Sequence, residues 1–165
     1  MISFLDPQRG ISDLVEAPFL GFERDGAVIT FGFGAWVRRD RRKTQEPALA
    51  LDVRCPWRLF AGDELFATSA DLFRSATLPT PRSFDPETDR TVCDVRLRRF
   101  MQDLAPRFPR VRAASAKPTG DLRLEIGEDI VLELFADRAP AEAWHLSAAA
   151  DAIRSAEPTA PRART

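Results

Sequence analysis

The strongest constraint on the fold lies near the end of the chain. Leu122, Leu124 and Ile126 alternate with charged neighbours, and Ile130, Leu132 and Leu134 recur at the same spacing, with Val131 and Glu133 between them. Period-two alternation is the mark of a strand with one buried face. A three-residue loop, Gly127-Glu128-Asp129, joins the two runs into a hairpin. That register puts all six apolar residues on one face and sets Arg123 opposite Glu133 on the other. A slip of one residue would turn every apolar side chain outward, so the pattern fixes the pairing.

The same reasoning extends upstream. Asp25-Gly26 is a two-residue turn signal. It predicts a hairpin with Phe22 opposite Ile29 and Leu20 opposite Phe31. Ser12-Asp13 is placed to cap a short helical turn at residues 14–17, ended by Pro18. Residues 48–60 and 65–69 read as a further hairpin, its first strand interrupted by Pro56. Residues 76–90 carry Pro79, Pro81 and Pro86 with little apolar pattern, and form the longest expected loop. From Thr91, Val92, Cys93, Leu97, Phe100, Met101 and Leu104 follow helical spacing, with Asp89 or Thr91 as cap and Pro106 as stop. Residues 111–116 read as a strand turned by Pro118-Thr119-Gly120. The expected class is α+β: an antiparallel sheet built from β-hairpins and covered on one side by a helix. One globular domain is expected over residues 1–156, with a flexible tail at 157–165 rich in proline and charge.

Composition narrows the function. The chain has 165 residues, a net charge of −1 and two cysteines, Cys55 and Cys93. Only two of its 24 basic residues are lysine. Asn and Tyr are absent. This bias fits GC-rich bacterial coding and carries little function. Two cysteines make no disulfide framework. The first ten residues do not read as a signal peptide, and no apolar run is long enough for a membrane helix. A cytoplasmic protein is expected.

Candidate chemistry is sparse. Cys55, Cys93 and the single histidine, His145, lie far apart in sequence without a short-range ligand pair. No catalytic residue, metal ligand or cofactor is therefore assigned. Gly32-Phe33-Gly34 lacks the third glycine of a dinucleotide fingerprint, because position 37 is Val37. Asp52 with Asp63, or Glu125 with Glu133, would be the carboxylate pairs to weigh; the hairpin register makes the latter two solvent-facing. Arg38, Arg39, Arg41 and Arg42 sit in a charged run beside Trp36. A slightly acidic chain argues against nucleic acid, so these four arginines are the candidate contacts for an acidic protein partner.

Residues 48–72 are the most distinctive stretch. They include Cys55-Pro56-Trp57-Arg58, a Gly62-Asp63 turn and Ser69-Ala70-Asp71. They resemble a group of uncharacterised bacterial proteins with a central strand ending Cys-Pro-Trp-Arg, then a Gly/Asp turn and Ser-x-Asp. Asp13-Leu14-Val15 and Glu142-Ala143-Trp144-His145-Leu146 are similar to the same group, although His145 stands where arginine is usual. The resemblance implies no activity. Some similar proteins sit among toxin-immunity families, which makes a non-catalytic, immunity-like binding module the leading expectation. The alternative is a small enzyme or ligand-binding domain with a cleft near Cys55.

Overall fold

The computed structural model describes residues 7–38, 44–104 and 107–149. In chain order these form α1 (Pro7–Ser12), β1 (Phe19–Asp25), β2 (Val28–Arg38), β3 (Gln45–Val53), β4 (Trp57–Ala61) and β5 (Glu64–Thr68). A 3-10 turn (Ser69–Phe73), α2 (Val92–Leu104), β6 (Val111–Ala116), β7 (Leu122–Ile126), β8 (Ile130–Leu134), α3 (Pro140–Ala143) and β9 (Trp144–Ala148) follow. The strands make two antiparallel sheets, ordered β1-β2-β3-β9 and β5-β4-β8-β7-β6.

The hairpin of β7 and β8 has the expected register. Leu124 pairs with Leu132, and Arg123 with Glu133. Leu122, Leu124, Ile126, Ile130, Leu132 and Leu134 are all buried. On the outer face the Arg123 guanidinium meets the Glu133 carboxylate at 2.7 Å. Leu124 is fully enclosed, so Leu124→Ala is expected to lower stability by about 2–5 kcal/mol. A urea unfolding midpoint unchanged by this substitution would refute the register.

The expected α+β class and its hairpin construction are observed, with the strands divided between two facing sheets. Phe31 of β2 meets Trp57 of β4 edge-on, with ring centroids 5.7 Å apart. Helix α2 packs against β5, β1 and the 3-10 turn. It thus closes the gap between one edge strand of each sheet. Its buried stripe is Cys93, Leu97 and Phe100, and Phe100 contacts both Phe19 and Phe66. The expected Thr91 cap is present. Thr91 N–H donates to Asp94 Oδ2 at 2.8 Å, and Asp94 N–H donates to Thr91 Oγ1 at 3.3 Å. This reciprocal pair is a capping box with aspartate in the glutamate position.

Three local expectations need correction. Helix α1 ends at Ser12 rather than starting there. Residues 13–16 are turns in which Asp13, Leu14 and Val15 N–H donate back to Gly10, Ile11 and Ser12, while Glu16 N–H donates to Val111 O. The first hairpin turns at Gly26-Ala27, so Phe22 opposes Phe31 and Arg24 opposes Ile29. Gly26 takes the left-handed first position (φ 58°) and Ala27 an ordinary one, the arrangement of a type II′ turn. The register shift is two residues, so facing is kept. A bulge between Phe19 and Gly21 then sends Phe19, not Leu20, into the core.

Residues 48–60 are not one strand. Arg54 and Cys55 N–H both donate to Ala143 O, and Pro56 has no N–H to continue the ladder. The chain leaves the first sheet as β3 and enters the second as β4. The tail at 157–165 lies outside the described residues.

Candidate functional site

The Cys-Pro-Trp-Arg stretch is this crossing point, and its bonds are structural. Trp57 N–H donates to Ser69 Oγ at 3.2 Å, and Phe135 N–H donates to Pro56 O at 2.8 Å. Asp71, buried, accepts from Thr68 N–H, Arg74 and Arg96. Ser-x-Asp therefore ties the 3-10 turn to β4 and α2. Arg58 stacks on Phe135, 4.5 Å from the ring centroid, and bonds Glu133. A hollow of about 350 Å³ lies alongside, lined by Pro56, Trp57, Arg58, Thr68, Ser69, Ala70 and Phe135. Cys55 is not in that lining.

Backbone pairing brings Cys55 near His145, because Cys55 N–H bonds Ala143 O. Strand alternation then separates the side chains. Trp144 faces inward and His145 outward, whereas Cys55 is buried. No nucleophile–base pair results. Asp52 accepts a 2.6 Å hydrogen bond from Thr30 Oγ1 in the first sheet, whereas Asp63 sits on the turn between β4 and β5 in the second. Gly32-Phe33-Gly34 is interior to β2. Among the described residues no group of three His, Cys, Asp or Glu side chains is arranged to hold a metal.

Both thiols are buried and unbridged. Burial pushes the Cys93 thiol up to about 12, helped by the negative charges of Asp94 and Asp71. Burial also raises Cys55. Both are thus protonated and unreactive near neutral pH. A thiol-specific disulfide reagent at pH 8 is expected to label neither until the protein unfolds. Rapid labelling of Cys55 in the native state would restore the enzymatic alternative.

A different constellation is organised around Arg24, on β1. Its Nε and Nη2 donate to the two oxygens of Asp94 at 2.8 and 3.0 Å. Nη1 donates to the carbonyls of Gly26 and Pro86, and Nη2 also to that of Asp89. One guanidinium thus joins the β1–β2 turn, the end of the 76–90 loop and the first turn of α2. The two side chains are 11% and 19% exposed. Desolvation pushes the Asp94 carboxyl upward, but the bonds from Arg24 and Thr91 outweigh it and hold the carboxyl below the usual value.

Beside this clamp is an open groove of about 460 Å³, lined by Phe22, Glu23, Arg24, Thr88, Arg90, Asp94 and Arg98. Arg24 and Asp94 neutralise each other there. Arg90 and Arg98 are exposed and bond no described side chain or backbone group through their guanidinium groups. The ladder also matters. Asp25 and Val28 close the hairpin, so alternation directs the backbone N–H and C=O of Glu23 toward β2 and those of Phe22 and Arg24 outward from the β1 edge.

Comparison with family models, curated proteins and solved structures finds no match to this chain.

Thr88 and Arg90, at the end of the 76–90 loop, line one side of the groove, and hydrogen bonds hold the loop at its base and along residues 81–89. Ala76 N–H bonds Arg90 O at its base, Phe84 N–H bonds Pro81 O, and Asp85 accepts from Glu87 N–H. This ordered loop displays Leu78 at 84% exposure, and Phe73 just before it is 61% exposed. Of the four arginines expected to meet a partner, Arg38 is exposed at the end of β2, and Arg39, Arg41 and Arg42 lie outside the described residues. Arg38 ends the strand whose other end, Val28, pairs with Asp25, next in sequence to Arg24 of the groove. At about 3.3 Å per residue the two ends are roughly 30 Å apart. The sequence offered no local signal for the Arg24 clamp, because Arg24 and Asp94 are 70 positions apart.

Proposed function

We propose that the chain is a non-catalytic protein-binding module, immunity-like in occluding its partner, and that the 76–90 loop is its contact surface. The observation that carries this reading is Leu78, a large apolar side chain held almost fully in solvent on an internally bonded loop. Recognition commonly resides in loops carried by a rigid scaffold. Preorganisation reduces the entropy lost on binding, and exposed apolar anchors supply much of the affinity. A cytoplasmic setting belongs to the same reading, supported by two unbridged thiols. Among the described residues no helix is long and apolar enough to cross a membrane.

Arg38, exposed at the end of β2, and Arg39, Arg41 and Arg42, which follow it in sequence, enter as positive charge that steers an acidic partner. Changing all four to Ser is expected to slow association and flatten its salt dependence.

The test is a pull-down from the source cell with the full chain and with Leu78→Asp. The leucine is exposed, so the variant should fold as the parent does, which circular dichroism checks. A specific protein retained by the parent and lost with Leu78→Asp is the expected result. Equal retention by both would sink the loop assignment. A bound small molecule, or turnover depending on Cys55 or His145, would replace this reading with the enzymatic one.

A further inference from the structure

The groove beside the loop differs from the loop in chemistry, and it constrains the kind of partner. Its lining has three parts. The Arg24–Asp94 pair is internally neutral and rigid. Arg90 and Arg98 leave two guanidinium groups without a described partner, against one exposed acid, Glu23. Along the floor runs the open edge of β1, with the backbone groups of Phe22 and Arg24 directed out of the sheet.

An unpaired strand edge accepts an extended peptide by adding one more rung of backbone hydrogen bonds. Guanidinium groups bind carboxylates through two parallel N–H donors. Resting on the binding reading above, we propose that the groove receives an extended acidic segment of the protein partner. That segment pairs with the β1 edge at Phe22 and Arg24, and its carboxylates bond Arg90 and Arg98. Glu23 opposes this charge and sets a selective threshold: a segment with a single carboxylate gains little, and one with two gains both arginines.

The geometry distinguishes this occupant from a bare anion. A free phosphate would use the arginines alone, with no call on the β1 backbone. A basic segment would be repelled by both free guanidinium groups and would meet only Glu23.

The experiment uses the full chain and a synthetic peptide alternating glutamate with valine, followed by fluorescence anisotropy and by hydrogen exchange read by NMR. A peptide with lysine in place of glutamate, and inorganic phosphate, serve as controls. The glutamate peptide is expected to bind, and to bind more weakly as salt rises. The Phe22 and Arg24 amides should gain protection, while the already paired Glu23 and Asp25 amides stay unchanged. Arg90→Gln with Arg98→Gln should weaken binding by about tenfold or more, and Glu23→Gln should tighten it by about threefold.

Glutamate-peptide binding that ignores Arg90 and Arg98 would overturn the assignment. So would equal binding of the lysine peptide, displacement by equimolar phosphate, or binding without protection at Phe22 and Arg24. The two proposals fail separately. Captured protein that depends on Leu78 but not on Arg90 and Arg98 removes the groove and leaves the loop; dependence on Arg90 and Arg98 but not on Leu78 removes the loop.

Discussion

Arg24→Ala is expected to destabilise the fold by about 3 kcal/mol, because it leaves Asp94 mostly buried without its cation. The loss is larger than that of one ion pair. Arg24 also serves the carbonyls of Gly26, Pro86 and Asp89, which would turn to water or stay unpaired. Urea unfolding measures the global effect. Limited proteolysis within residues 76–90 measures the local one, and should become much faster in the variant. A protease pattern identical to the parent's would mean that the loop does not depend on the clamp.

The same pair gives stability a pH dependence. The Asp94 carboxyl is held below its usual value in the folded state. An unfolded aspartate titrates near pH 4. The ion pair therefore contributes fully above about pH 4 and is lost as pH falls through the folded value. In Arg24→Ala this contribution is removed, so the variant's stability deficit should be largest near neutrality and shrink toward pH 3. A deficit constant from pH 7 to pH 3 would count against the clamp.

Trp144→Ala is expected to cost about 3–5 kcal/mol, as for other buried tryptophans truncated in a core. The indole is 5% exposed, and its Nε1–H donates to Gly120 O at 2.6 Å. That bond joins the turn before β7 to the start of β9. Gly120 itself is confined by Ala136 and Pro140: a Cβ there would lie 2.9 Å from that of Ala136. Trp144→Phe keeps most of the apolar volume but orphans the carbonyl, for about 1–3 kcal/mol. Equal losses for Ala and Phe would show that the hydrogen bond dominates over packing.

What was legible in the sequence follows from how local the cause is. The β7–β8 hairpin was legible because six side chains and one charge pair agree on one register. Helix α2 was legible because its stripe and its Thr91 cap lie within one segment. The first hairpin was read with the wrong turn, since Asp25-Gly26 and Gly26-Ala27 bury the same face and differ only in which residue Gly26's left-handed backbone serves. The division of residues 48–60 was hidden because both halves read as strand. What separates them is Ala143, some 90 positions away, accepting bonds from Arg54 and Cys55. The groove has the same origin. Arg90 and Arg98 read as ordinary surface arginines until β1 is laid beside α2. The run at 38–43 was conspicuous because its charges are contiguous.

The pairing of β3 with β9 has a consequence for how the protein comes into being. Leu51 meets Leu146 and Val53 meets Trp144, so the first sheet is completed by the last in sequence of the described strands. A chain emerging from the ribosome holds β1, β2 and β3 ready long before β9 exists, and one flank of β3 must wait. Such distant pairings require a large loop to close before any reward, which favours folding over milliseconds to seconds rather than microseconds. During that interval the exposed flank of β3 is the place where two nascent chains would most readily join by mistake.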